Sequence, residues 1–344
     1  MLHLQQQFLQ FHDNIKLTME DNEELRNKRD IIVKRIKENI PDAAKPFTIF
    51  TQGSYAMFTG IQPLDNDYDI DVGLYFEMSK DDVKPVDAKK WVLDAIDGHT
   101  KDVRMKTPCV TATYAAGYHV DVTVYAAENS DGKVYLAKGK PSSNEENKTW
   151  DESNPKDLIQ VISTHLSNAD DRKQFRRIVR YLKRWKDVQF SGVVNGKPSG
   201  IALTACAYHY LTIQKVVVDL FTGKTEYRDL DALISLISSL LGRFYTVVEY
   251  EGDELVTYER LSVTLPVSPY PDLFIKMTNK QMVTFKEKLE SLKKALEDAR
   301  AKEDPTDAAE LLQKHFGSSF PVPPRPDTGK KAFKKAVVPS NESA

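Results

Sequence analysis

The 344-residue sequence predicts a bilobed α+β fold, a mixed sheet with helices followed by a C-terminal helical lobe. Three observations predict it. The first 40 or so residues are polar and free of Pro and Gly. From Pro46 the texture turns to runs of β-branched and aromatic residues. From Asn154 apolar residues recur at helical spacing.

Taken in order, Leu25, Ile31, Ile32 and Ile36 predict one or two amphipathic helices within residues 1–45, a spine that Pro41 ends. Residues 46–153 form the predicted core. PFTIFTQ, YDIDVGLYF, VTATYAAGYHVDVTVYAA and KVYLAKG read as strands, and VDAKKWVLDAI as a helix between them. The polar, turn-rich stretch from Glu128 to Ser153 reads as loops at the sheet edge, with one short strand inside. Asn154-Pro155 opens the helical lobe, 154–320, as a capping side chain before proline at the first helical position. DDRKQFRRIVRYLKRWKDVQF, GIALTACAYHYLTIQKVVVDLF and RDLDALISLISSLL read as helices. In the first, Phe175, Ile178, Val179, Leu182 and Trp185 make one apolar stripe. A late helix runs from about Thr278 to Ala301, with Phe285, Leu289, Leu292 and Leu296 on one face, and a short one follows Pro305. Residues 321–344, rich in Pro, Lys and Ser, read as a flexible tail.

Composition narrows the function. Lys and Arg number 48 against 50 acids, so the basic footprint of a dedicated nucleic-acid binder is missing and no long nucleic acid is expected as partner. Cys109 and Cys206 stand apart with no CxxC pair, which argues against structural zinc and fits a reducing cytoplasm. The N-terminus lacks a basic start and apolar run, and the stretch from Ala232 to Leu241 is too short to span a bilayer. The expectation is a cytoplasmic protein with no membrane partner.

The chemistry concentrates in TQGSYAMFTGIQPLDNDYDIDVGLYF. Alternate strand residues share a face, so Asp69 and Asp71 point one way while Ile70 and Val72 point the other. Two such carboxylates repel each other unless a cation sits between them, and a hard, oxygen-loving ion such as Mg²⁺ suits them. Asp121, in YHVDVTVY, shares a face with His119 and Thr123. If that strand lies beside the first, three carboxylates converge, enough for a two-metal site that stabilises the entering and leaving oxygens of a phosphoryl displacement. Gly53-Ser54 follows an apolar strand; glycine allows backbone approach to phosphate, and the serine hydroxyl can donate to it. A lone Gly-Ser pair is common, and a lone D-x-D is usually a turn or an exposed strand face. The ordered set of strand, Gly-Ser, helix, D-x-D strand and later strand Asp is much rarer.

That ordered set resembles the DNA polymerase β-like nucleotidyltransferases. The helix IVRYLKRWKD followed by KPSGIALTA, together with TQGSY, HVDVTVY and the ending HFGSSFPV, is similar to the bacterial cGAS/DncV-like enzymes (CD-NTases) of CBASS anti-phage systems. The resemblance covers about Gln52 to Phe320. It implies a polymerase β-like core with the active site between two lobes, two Mg²⁺ ions (or Mn²⁺) on Asp69, Asp71 and Asp121, and a donor triphosphate held by Gln52, Gly53, Ser54, Lys183 and Ser199. Lys183 lies at the flank of the apolar stripe, where its stem can pack while its ammonium reaches the cleft. Ser199 reads equally as a helix cap.

The implied activity is synthesis of a cyclic di- or trinucleotide from NTPs, ATP and/or GTP, with loss of pyrophosphate and a downstream effector as the product's target. Nucleotide transfer to RNA or to a protein uses the same core, and a non-catalytic nucleotide sensor is the third reading. Some bacterial relatives are conjugated at the C-terminus by a ubiquitin-like ligase, and the tail could present Ala344 in that way.

Overall fold

The computed structural model describes residues 3–193 and 195–325. The tail from residue 326, with Ala344 and its proposed conjugation, lies outside the described residues.

Two helices open the chain, α1 (Gln5–Ile15) and α2 (Met19–Asn39). Thr18 starts α2 with a capping box: its hydroxyl accepts from Asp21 N, and the Asp21 carboxylate accepts from Thr18 N. Leu25, Ile32 and Ile36 are buried against the sheet, but Ile31 is 42% exposed. Six residues from Leu25, it sits about 120° round the helix at roughly 100° per residue, off the buried face.

The sheet has seven strands: β1 (Phe47–Gln52), β2 (Tyr68–Phe76), β3 (Asp102–Met105), β4 (Val110–Thr113), β5 (Tyr118–Ala126), β6 (Tyr135–Ala137) and β7 (Trp150–Glu152). The short helix α3 (Gly53–Ala56) follows β1, and α4 (Pro85–Ile96) links β2 to β3. The order is β1-β2-β5-β4-β3, with β6 added to β5 and β7 to β6. Only β2 and β5 pair in parallel; the other pairs are antiparallel, which makes the sheet mixed. The single strand expected over 110–127 is a hairpin of β4 and β5. Gly117 turns it at φ +82, where a Cβ would sit 2.3 Å from Asn66 O. The edge expected to hold one short strand holds two, β6 and β7.

The helical lobe contains α5 (Pro155–Thr164), α6 (Ala169–Gln189), α7 (Gly200–Tyr210), α8 (Asp229–Leu241), α9 (Asn279–Ala301) and α10 (Pro305–Phe316). Pro155 does take the first position of α5, but the Asn154 side chain donates to Asp157 Oδ2 at 2.6 Å instead of capping. The expected helix after Gly200 stops at Tyr210. Its β-branched continuation forms β8 (Lys215–Asp219), which pairs with β9 (Lys224–Tyr227). A second hairpin, β10 (Tyr245–Glu251) with β11 (Glu254–Arg260), has no counterpart in the sequence reading.

All five residues of the α6 stripe are buried, each contributing about 1.5–3 kcal/mol. Phe11 of α1 stacks on Tyr181 and meets Phe316 and Phe320, each at 5.1 Å. Thus α1 belongs to the core of the helical lobe, while α2 belongs to the core under the sheet. Beside Tyr181, Arg177 holds buried Asp229 through two bonds of 2.6 and 2.8 Å, tying α6 to α8. Among the described residues no helix is long and apolar enough to cross a membrane.

Candidate active site

The parallel pairing of β2 with β5 sets the register Asp69↔His119 and Asp71↔Asp121. With a side-chain period of two, the three aspartates fall on one face. Ile70, Val72, Val120 and Val122 fall on the other and are fully buried. An oxygen from each of Asp69, Asp71 and Asp121 lies within 4.8 Å of the others. Asp69 lies on the cleft floor, open to solvent yet walled by protein; Asp71 and Asp121 are half-buried. Burial pushes Asp69 up to about 8, reinforced by Asp71 and Asp121, and pushes Asp71 up to about 6, reinforced by Asp121. The set is all oxygen, crowded with negative charge, and fits a hard divalent cation.

Two contacts on Asp121 escape the sequence reading. Thr111, opposite it on β4, donates its hydroxyl to Oδ1. Lys106 Nζ lies 3.6 Å from the same oxygen. Only the register of β4 against β5 could have revealed Thr111, and a loop lysine carries no sequence signal.

β1 runs antiparallel to β2 with Gln52 opposite Asp71, which brings Gly53 and Ser54 to the carboxylates. Gly53 adopts φ +65, and a Cβ there would lie 1.8 Å from Asp71 Oδ2. Both the backbone and the neighbouring acid therefore demand glycine. Gln52 lines the cleft, but its amide is engaged inside the sheet. Nε2 donates to Thr123 Oγ1 and Oε1 accepts from the Tyr125 hydroxyl, both at 2.9 Å.

Across the cleft, α6 carries Lys183. Its Nζ donates to Thr59 O at 2.9 Å and lies 3.1 Å from Thr59 Oγ1. Burial, then Lys186 and Arg180, push this ammonium down to about 7, with Asp187 and Asp71 acting the other way. Ser199 is exposed and caps α7, accepting from Ala202 N at 3.2 Å. The cleft wall at this point is the next residue, Gly200.

Arg180 and Arg184 flank Lys183 and hold the same loop. Arg180 donates to Gly60 O at 3.0 Å and Phe58 O at 2.7 Å, and Arg184 to Gln62 O at 2.6 Å. A third Arg180 nitrogen lies 2.9 Å from His12 Nε2. Burial and the nearby Arg180 push His12 down to about 4, so its neutral ring accepts that bond. These bonds fix the loop after α3, including Phe58 at φ +56. In the sequence the two arginines look like ordinary solvated helix cations.

The cleft has two arms that meet at Ser54, Asp69, Lys183 and Gly200. The first, about 360 Å³, runs between the sheet and the helical lobe towards Leu158, Ile159 and Thr204. The second, about 210 Å³, runs along α6 towards Gly60 and Lys186.

Residues 47–125, from β1 to β5, match the family described as cyclic GMP-AMP synthase DncV-like, nucleotidyltransferase domain. The cyclic GMP-AMP synthase of Escherichia albertii is 26% identical over 195 residues, 54% of this chain; the match spans 42% of that relative's length. The structure of Vibrio cholerae DncV cyclic AMP-GMP synthase superposes with a TM-score of 0.69 at 18% identity, over 93% of this chain and 97% of that one. CdnC from E. coli MS115-1, solved with ATP, gives a TM-score of 0.67 at 19% identity, over 92% and 98%. At these identities the solved structures show the shared bilobed fold. The β1–β5 stretch is thus similar in sequence to the DncV-like nucleotidyltransferase domain, and the bilobed architecture around it is shared with the solved structures over most of the chain.

Proposed function

We propose that the protein is a Mg²⁺-dependent nucleotidyltransferase that joins nucleoside triphosphates into a cyclic di- or trinucleotide, releasing pyrophosphate at each bond. The convergence of Asp69, Asp71 and Asp121 beside Gly53, Ser54 and Lys183 carries this reading. Asp69 and Asp71 would hold two ions, and Asp121 would complete the shell of one of them. Bound there, divalent ions lower the pKa of an attacking hydroxyl and neutralise charge on phosphoryl oxygens. Gly53 leaves the backbone open to phosphate, the Ser54 hydroxyl donates to it, and Lys183 offers a cation whose charged form a triphosphate favours. Gln52 acts through the sheet, holding Thr123 and Tyr125 beneath the site, and Ser199 sets the start of α7, with Gly200 against the Lys183 stem.

The relatives support the substrate class. Two are named as synthases of a nucleotide built from GMP and AMP, and a third was solved with ATP, which makes ATP and GTP the substrates to test first. In the cell the product would act on a downstream effector in anti-phage signalling.

The test is direct. The protein is incubated with labelled NTPs and Mg²⁺ or Mn²⁺, treated with phosphatase, and its resistant products are chromatographed. Asp69→Asn with Asp71→Asn should lower product by at least about 10³-fold, the scale of losing electrostatic stabilisation of the transition state. Undiminished activity in that variant would place the site elsewhere. Label appearing on added RNA or protein, with no small resistant product, would replace cyclisation by polymer modification.

A further inference from the structure

The cleft continues past the side chains assigned to the triphosphate. Its second arm has Asp69 and Ser54 at the inner end and Lys186 and Asp187 on its helix wall. Ile61, Pro63, Asp67, Lys186 and Asp187 of this arm also line an outer cavity of about 550 Å³, which reaches exposed Lys197. Arm and cavity thus form one passage from the carboxylates to the surface. It diverges at Ser54 and Lys183 from the arm that runs under Leu158 and Thr204.

The passage has a fixed wall and a graded lining. The wall is the 58–62 loop, whose carbonyls are bound by Arg180, Lys183 and Arg184. A loop so held keeps the arm open without a ligand. Even the inner arm, at about 210 Å³, exceeds several times the roughly 30 Å³ share of one water. Lys183, Lys186 and Lys197 succeed one another outward as cationic stations. Lys186 is three residues beyond Lys183 on α6, so the two share a helix face. Between them stand Asp67 and Asp187, the latter 2.9 Å from Lys186 Nζ. A lining of lysines with interspersed carboxylates suits a polyphosphate that travels with a divalent ion, because phosphate oxygens take the lysines and the ion takes the carboxylates.

We propose that this passage binds pyrophosphate and is its route of release, with Lys186 and Lys197 as the receiving groups. The inference rests on the nucleotide-transfer reading above. In that reaction the attacking hydroxyl oxygen bonds to the α-phosphorus and its proton passes to solvent. The bond from the α-phosphorus to the α–β bridging oxygen breaks, and pyrophosphate leaves with the electron pair. The first arm keeps the joined nucleotides for the next bond. The passage removes the small anion without requiring the intermediate to move.

The experiment compares the full-length protein with its Lys186→Ala/Lys197→Ala variant. Inorganic pyrophosphate is titrated calorimetrically in the presence of Mg²⁺, and its inhibition of NTP turnover is measured in parallel. Loss of the two cations should weaken pyrophosphate about tenfold by both readouts, while the NTP KM moves less than about threefold. A Lys34→Ala/Lys90→Ala variant, altered on α2 and α4, should match the wild type. Equal pyrophosphate affinity in wild type and the 186/197 variant overturns the proposal. Equal losses for pyrophosphate and NTP also overturn it, because the lysines would then belong to the substrate site. If the wild type turns over no NTP, the transfer reading falls by itself, and the direct titration still decides whether the passage binds pyrophosphate.

Discussion

The two walls of the cleft carry opposite charge and meet their needs in opposite ways. On the sheet wall, Asp69, Asp71 and Asp121 crowd together with one threonine hydroxyl and one lysine at 3.6 Å for relief. On the α6 wall, Arg180, Lys183 and Arg184 are already hydrogen-bonded to the backbone of residues 58–62. The acidic wall is electrostatically incomplete and draws in cations. The cationic wall is anchored to the loop it faces and holds its shape, which is preorganisation in advance of any substrate. Lys183 belongs to both descriptions: an ammonium has three donors, and Thr59 engages at most two of them.

Breaking the acidic wall should have the larger effect. Gly53→Ala adds a methyl 1.8 Å from Asp71 Oδ2 at a backbone φ of +65. It should cost about 10²-fold in kcat, the scale of a displacement of about 1 Å at a reacting centre. Steady-state kinetics on a variant of unchanged fold checks this, and near-normal kcat would mean that Asp71 is free to move. Breaking the cationic wall should register first in stability. Arg180→Met removes bonds to Phe58 O, Gly60 O and His12 together and should destabilise by about 2–3 kcal/mol in denaturant unfolding. The NTP KM should rise with it, and Arg180→Lys should recover only part of both.

The smallest effect sharpens the comparison through pH. Asp69 and Asp71 have an ordinary value of 3.8 and are raised to about 8 and about 6 by burial and by their mutual crowding with Asp121. Between those values the folded state binds more protons than the unfolded one, so their contribution to stability falls as pH rises from about 4 to about 8. Divalent ions compete with those protons and bind best once they have gone. The increase in Tm on adding Mg²⁺ should therefore grow from about pH 5 to about pH 8. In the Asp69→Asn/Asp71→Asn variant that growth should vanish; if it persists, the ions bind at another site.

How far the sequence could be read follows the same division. The acidic wall was legible because a period of two puts Asp69 and Asp71 on one face whatever surrounds them, and Asp121 needed only parallel pairing to join them. The apolar stripe of α6 was legible for a similar reason, since its five residues bury together at helical spacing. The cationic wall was not, because the loop partners of Arg180 and Arg184 are carbonyls more than a hundred positions away and share no sequence signal with them. Local patterns also failed where tertiary pairing decides the outcome. Val216 to Val218 continued an apolar run out of α7, yet Val216 and Val217 pair with β9, Val218 falls at a bulge, and all three are exposed. Short β3, rich in charged residues, becomes a strand only because β4 lies beside it.

The carbonyl partners of the α6 arginines have a consequence for variation among related chains. A carbonyl is present whatever the residue, so the side chains of residues 58–62 can be exchanged without removing the acceptors that Arg180 and Arg184 use. No such latitude exists on the helix, where one substitution at 180 deletes several bonds at once. Substitutions should therefore accumulate on the loop and be purged from the helix, although the same carbonyl bonds join the two surfaces.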